Sequence, residues 1–222
     1  MDLYEKNWNC PVCNNNFKAP AVKSSAIKLD KKDTDFCLYY KGINPLFYDV
    51  IVCPNCGYSA LSKNFNKITN KDIESIKEKV CSKWLKRNIP FERTELDAIS
   101  LYKLALISAI SKFKINKFEV AGILLRIAWL YRYLNDTKNE LEYLSLALNN
   151  YLEVYEDNST VSDELDSATI MYLIAELYRR IGNFEQSKRW FSMLISSKEA
   201  RQNPNILDLA REQIQVIKDI QV

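Results

Sequence analysis

The chain has 222 residues, 47% hydrophobic and 27% charged, a net charge of +3 and no histidine. Lack of histidine removes the commonest general base and excludes Ser-His and Cys-His nucleophile pairs as well as histidine-ligated zinc. No stretch reaches the eighteen or so uncharged apolar residues of a membrane span, since even Phe118 to Leu134 carries Glu119, Arg126 and Arg132, so a cytoplasmic protein with no membrane partner is expected.

In chain order, the first feature is a pair of Cys-x-x-Cys knuckles, Cys10-Pro-Val-Cys13 and Cys53-Pro-Asn-Cys56-Gly57. A two-residue gap lets both sulfurs of a knuckle face one ion, and four thiolates complete the tetrahedron of a structural zinc. Pro11 and Pro54 stiffen the turns, and Gly57 suits a left-handed residue closing the second. Disulfides would need an oxidising compartment, and no signal peptide is visible; a redox pair belongs beside a βαβ pattern, which is absent. Cys10, Cys13, Cys53 and Cys56 are therefore the expected zinc ligands, and four protein donors leave no open position for substrate.

Between the knuckles, Phe47 to Cys53 reads as a ribbon strand and Ala21 to Leu29 as a weaker one. Asp30, Asp33 and Asp35, among Lys31, Lys32 and Thr34, read as a solvated turn rather than a hard-metal site. Cys37 and Cys81 are expected as small buried apolar residues, Cys81 within a helix.

Helices are expected near 70–88, 95–114, 118–134, 138–156, 163–181, 184–198 and 205–220. Thr69 with Asp72, Thr94 with Asp97 and Thr137 with Glu140 have the spacing of capping boxes, and Ser162 is a candidate cap. Pro90 separates the first two helices. The division expected is 1–66 for a zinc-ribbon-like module and 67–222 for a helical domain.

Ala168 to Arg201 resembles one tetratricopeptide repeat: Met171, Ile174, Ala175 and Tyr178 hold its packing positions, Gly182-Asn-Phe184 its turn, and Ser187, Phe191 and Leu194 its second helix. A looser copy, Ala121 to Val154, starts 47 residues earlier, with Asn135 in place of the turn glycine and Glu140 in place of an alanine. Ala98, Tyr102 and Ala105 suggest part of a degenerate first repeat. The last helix, apolar at Ile206, Leu209, Ala210, Ile214 and Ile217, has the polar back of an array cap. In tetratricopeptide arrays the face holding Leu125, Trp129 and Arg132, and its equivalent Tyr172, Glu176 and Arg179, lines a concave groove. Arginine forks there suit carboxylates of an acidic or C-terminal peptide, whereas Leu125 and Trp129 depart from the lysine and asparagine of two-carboxylate chaperone clamps.

Residues 1–93 hold 16 Lys/Arg against 10 Asp/Glu, much of the excess around Lys77, Lys79, Lys83, Lys86 and Arg87, which reads first as a solvated helix face. The order of elements, with Phe36-Cys-Leu-Tyr-Tyr-Lys-Gly-Ile-Asn-Pro45, Tyr48 to Tyr58 and Leu125-Arg-Ile-Ala-Trp-Leu-Tyr-Arg132, resembles the bacterial domain-of-unknown-function family 2225 over nearly the whole chain. The resemblance implies a metal-binding ribbon followed by tetratricopeptide-like helices, and no established activity. The expected function is a non-enzymatic adaptor whose groove binds a protein or peptide. The alternative is a nucleic-acid-associated regulator using the ribbon and the basic first helix. No glycine-rich phosphate loop, deaminase signature or nucleophile elbow points to an enzyme.

Overall fold

A computed structural model describes residues 2–157 and 166–220. Three antiparallel hairpins precede the helices: β1 (Leu3–Asn9) with β2 (Asn16–Val22), β3 (Leu29–Lys32) with β4 (Leu38–Tyr40), and β5 (Val50–Val52) with β6 (Ser59–Leu61). The tips of the outer two carry the cysteine knuckles, and the tip of the middle one carries Asp33 to Phe36. The expected strand from Ala21 to Leu29 is instead the end of β2, a 3-10 turn over Ser24–Ala26 and the start of β3. Asn44 and Pro45 start another 3-10 turn, Pro45–Tyr48, and so shorten the expected strand from Phe47 to Val50–Val52.

Strand β5 separates two cores because successive side chains leave opposite faces. Val50 and Val52, with Leu61 of β6, pack against α2 (Glu95–Ile110) and α3 (Lys117–Tyr133). Ile51 and Ala60 face the other way, into a core with Cys10, Cys53, Tyr58, Phe65 and Ile76, the last from α1 (Asn70–Lys79). The β5–β6 hairpin is thus docked on the helices, with the Ser59 amide also donating to the Ser108 hydroxyl at 3.2 Å.

Thr69 and Thr94 form complete capping boxes with Asp72 and Asp97, each worth roughly 1 kcal/mol. The box expected at Thr137 does not form: Asp136 caps α4 (Thr137–Glu156) one residue earlier, and Glu140 turns to Arg132. The first helix stops at Lys79 rather than residue 88, giving way to a 3-10 turn, Cys81–Lys83, and then irregular chain. Asp166 caps α5 (Ser167–Arg180), while Ser162 lies outside the described residues. Helix α6 (Phe184–Ser196) follows, then α7 (Lys198–Gln202) and α8 (Pro204–Ile220), whose Ile206, Ala210 and Ile217 cover α5 and α6.

Helices α3 and α4 pair, as do α5 and α6, and the two turns are alike at an offset of 47 residues. Asn135 and Gly182 both take positive φ, 56° and 83°. The next amides, Asp136 and Asn183, donate to the carbonyls of Tyr131 and Tyr178 at 3.0 and 2.9 Å, and the same two residues cap the following helices. Asparagine tolerates the left-handed region, so the missing turn glycine leaves the geometry intact. Among the described residues, no helix is long and apolar enough to cross a membrane.

Candidate functional site

The four knuckle sulfurs lie within 4.8 Å of one another. Cys10 and Cys56 approach at 3.6 Å, as do Cys13 and Cys53, far beyond a disulfide bond of about 2.05 Å. Each knuckle is built the same way. The amide of Asn14 donates to the Cys10 carbonyl and that of Gly57 to the Cys53 carbonyl, at 2.8 and 2.9 Å; the Cys10 and Cys53 amides donate onward to Asn15 and Tyr58. Asn14 and Gly57 have φ of 57° and 76°, so an asparagine occupies in the first knuckle the position glycine holds in the second.

Cys10, Cys53 and Cys56 are buried, and Cys13 is half-buried with the Asn55 side-chain amide 3.6 Å from its sulfur. Without a cation these thiols compete for protons. Hydrogen bonds from Cys10 and then Cys56 favour ionised Cys53 and hold it well below the usual thiol range, whereas Cys56 is driven upward by Cys10 and Cys53. A positive ion at the centre relieves that conflict, so the donor set fits a thiolate-bound metal.

Packing around the centre comes from residues that sequence reasoning passed over. Trp84 donates its indole N–H to the Pro54 carbonyl at 3.1 Å and covers Gly57, where an added Cβ would lie 2.4 Å from the ring. Cys81 is half-buried against the knuckle core, outside any α-helix, contrary to the helical position expected of it. Cys37 is fully buried elsewhere, 3.4 Å from the Tyr133 hydroxyl, and burial pushes its thiol up to about 11.

The helical face predicted to bind a partner is brought together, and it grips the chain's own middle hairpin. The turn closes through the Phe36 amide onto the Asp33 carbonyl at 2.9 Å, with Phe36 in the left-handed region at φ 70°. Asp35 is not solvated as expected; it is fully buried and accepts from Trp129 Nε1 at 3.0 Å and from both Arg132 Nη atoms at 3.0 and 2.6 Å. Asp33 binds Arg132 at 3.0 Å and Arg180 at 2.8 Å. Burial alone would raise the Asp33 pKa, but Arg180, the Thr34 amide and Arg132 together lower it.

Backbone and aromatic contacts complete the seat. Tyr172 donates its hydroxyl to the Thr34 carbonyl at 2.9 Å and stacks on Phe36 with ring centroids 5.5 Å apart. Glu176, fully buried, accepts from Thr34 Oγ1, from both Arg179 donors and from Arg180 Nε. Leu125 touches none of this polar network; it is buried in the floor of an adjoining cavity that Phe36 and Trp129 also line. Arg180 was missing from the sequence reading, and its only local signal was adjacency to Arg179. Lys79, Lys83 and Lys86 are exposed, but the end of α1 at Lys79 means that no single helix face carries them.

Residues 3–217 match the bacterial domain-of-unknown-function family 2225, described as "Uncharacterized protein conserved in bacteria", and the chain belongs to that family. No curated protein and no solved structure matches it.

Proposed function

We propose that this family member is a non-enzymatic, zinc-held adaptor acting in the cytoplasm, in which tetratricopeptide-like helix pairs recognise a protein or peptide along the face of α3 and α5, part of which the chain's own residues 33–36 already occupy. Zinc is the metal that four thiolates in paired knuckles favour. A Zn–S distance of about 2.3 Å sets tetrahedral sulfur separations of about 3.8 Å, close to the 3.6 Å found for two of the pairs. With four protein donors the ion would hold the hairpin tips together and leave no position for a reacting water. The 47-residue correspondence of the two helix pairs supports the repeat reading.

The observation that carries the adaptor reading is the seat of residues 33–36. Trp129, Arg132, Tyr172 and Arg180 hold a short peptide stretch by its carbonyl, carboxylates and aromatic ring together, which is how a surface recognises polypeptide. Affinity capture on the full-length protein after nuclease treatment, paired with elemental analysis, tests both halves. About one zinc per chain and a saturable protein partner are expected. Metal-free folded protein would defeat the zinc assignment. Recovery of nucleic acid alone, lost on replacing Lys79, Lys83 and Lys86, would favour a nucleic-acid regulator.

A further inference from the structure

Between α3 and the first and middle hairpins lies a cavity of about 480 Å³, within the range for small-molecule sites. Flat side chains dominate its walls. Tyr4, Pro20, Tyr40 and Trp129 line it, and Tyr4 and Tyr40 make no ring-to-ring contact among the described residues. Trp129 has committed its indole N–H to Asp35, so only its ring is on offer.

Three charged residues also line it: Lys6, Asp49 and Arg126. Lys6 is exposed, with its ammonium over the Trp8 ring at 4.7 Å. Asp49 and Arg126 form an ion pair that stops short of a hydrogen bond, Arg126 Nε lying 3.8 Å from Asp49 Oδ2. Each is held from elsewhere. Asp49 and Ser62 close the open end of the β5–β6 hairpin, the Ser62 amide donating to the Asp49 carbonyl and its hydroxyl to Asp49 Oδ1, both at 2.7 Å. Arg126 Nη1 donates to the Gly122 carbonyl one turn back, at 2.9 Å. Among the described residues Asp49 Oδ2 accepts no hydrogen bond and Arg126 Nε and Nη2 donate none, although the two side chains remain 28% and 25% exposed.

We propose that this cavity binds a free planar heterocycle carrying a ring N–H next to a C=O, the lactam edge of an oxopurine or a pterin. The N–H would donate to Asp49 Oδ2, the carbonyl would accept from Arg126, and the ring would lie against Tyr4, Tyr40 and Trp129. Asp49 and Arg126 already balance each other's charge, so the edge they read is neutral. An aliphatic chain would cover the rings but leave both polar groups desolvated without a hydrogen bond. A trans peptide group carries its N–H and C=O on opposite edges and cannot serve both; a ring lactam has them side by side. The site goes beyond the adaptor reading and does not depend on it.

The test is isothermal titration calorimetry on the full-length metal-loaded protein. The probes are inosine, which has this edge, 1-methylinosine, whose N–H is blocked, and purine riboside, which keeps the ring and sugar but lacks both the N–H and the carbonyl. Inosine should bind at one site per chain, about tenfold or more tighter than either of the others. Asp49→Asn, which keeps an acceptor for Ser62 but turns an NH₂ toward the ligand N–H, and Arg126→Gln should each bring that ratio below about threefold with far-UV circular dichroism unchanged. No saturable binding of inosine, inosine bound no tighter than the other two nucleosides, or folded variants that keep the full ratio overturns the proposal. If a variant unfolds, the three nucleosides on the parent protein decide alone. A single-stranded oligoinosinate that binds about tenfold tighter than inosine, and loses that advantage as salt rises, overturns the assignment to a free heterocycle in favour of nucleic acid. Failure here leaves the adaptor reading standing, since that reading is tested by capture of a protein partner.

Discussion

Replacing Asp35 by alanine should destabilise the protein by about 3 kcal/mol. The fully buried carboxylate accepts from Trp129 Nε1, from two Arg132 nitrogens and from the Cys37 amide at 3.3 Å, with Arg180 Nε 3.5 Å away. Breaking a buried ion pair from one side typically costs about 3–5 kcal/mol, and an indole N–H left without a partner about 1–3 kcal/mol. Arg132 keeps Asp33 and Glu140, at 3.0 and 2.7 Å, so the remaining cation is not orphaned and the lower end of the first range applies. For a chain of this size each kcal/mol moves Tm by about 2–4 °C, giving a loss of about 6–12 °C. Asp35→Asn, which keeps the shape and one acceptor, should lose about half as much. Thermal unfolding followed by far-UV circular dichroism, with urea midpoints as a check, reads both. A Tm within about 2 °C of the parent for Asp35→Ala would refute the reasoning: desolvation of these charges would then cancel their attraction, and the turn would be held by Tyr172 and Phe36 alone.

Gly57→Ala should weaken metal retention against a chelator by about tenfold or more, because alanine is disfavoured at positive φ and its Cβ would collide with Trp84; Gly182→Ala, at similar φ but in open space, should cost only about 1 kcal/mol and leave the metal in place. Cys53→Ser should abolish stoichiometric zinc and lose the near-UV signal of the Trp8–Phe65 cluster while most helical signal remains. Asp33, Asp72 and Asp97 all have folded pKa values below the unfolded reference of 3.8. Their contributions are therefore complete above about pH 4 and are lost as pH falls through the depressed values, so urea midpoints should be flat from pH 5 to 7 and drop below pH 4. A midpoint that rises on acidification would contradict the pairing at these sites.

The four-cysteine cluster was legible because its signal is local: two residues between cysteines, a proline inside each pair and, in the second, a glycine after. Helix starts at Thr69 and Thr94 were legible for the same reason, as hydroxyl and carboxylate three residues apart. At Thr137 the rule failed by one residue, since Asp136 is an equally good acceptor and Glu140 had a stronger partner in Arg132. The end of α1 carried no glycine or proline signal at Val80, and the chain leaves the helix where Trp84 must turn in to cover the second knuckle. Hardest to read was the acidic turn. Asp33, Thr34 and Asp35 have the composition of a solvated loop, and what takes them out of water is two arginines, Arg132 and Arg180, roughly a hundred or more residues away. Complementary charge at that separation leaves no pattern in either segment taken alone.

That separation also orders events during synthesis. Both knuckles are available once about sixty residues have left the ribosome, so a metal could close the outer hairpins early. Thr34, by contrast, bonds Tyr172 and Arg180 at separations of 138 and 146 residues. Until α5 emerges, Asp33 and Asp35 have only Arg132 and Trp129 of α3 to meet them, and Thr34 lacks the Tyr172 and Arg180 that complete the seat. Contacts of such long range slow folding, because the chain entropy lost in closing a loop rises, logarithmically, with its length. A nascent chain stalled before residue 172 would therefore carry both cysteine knuckles and an acidic loop held by α3 alone, with the Thr34 and Phe36 contacts to Tyr172 and Arg180 still unmade.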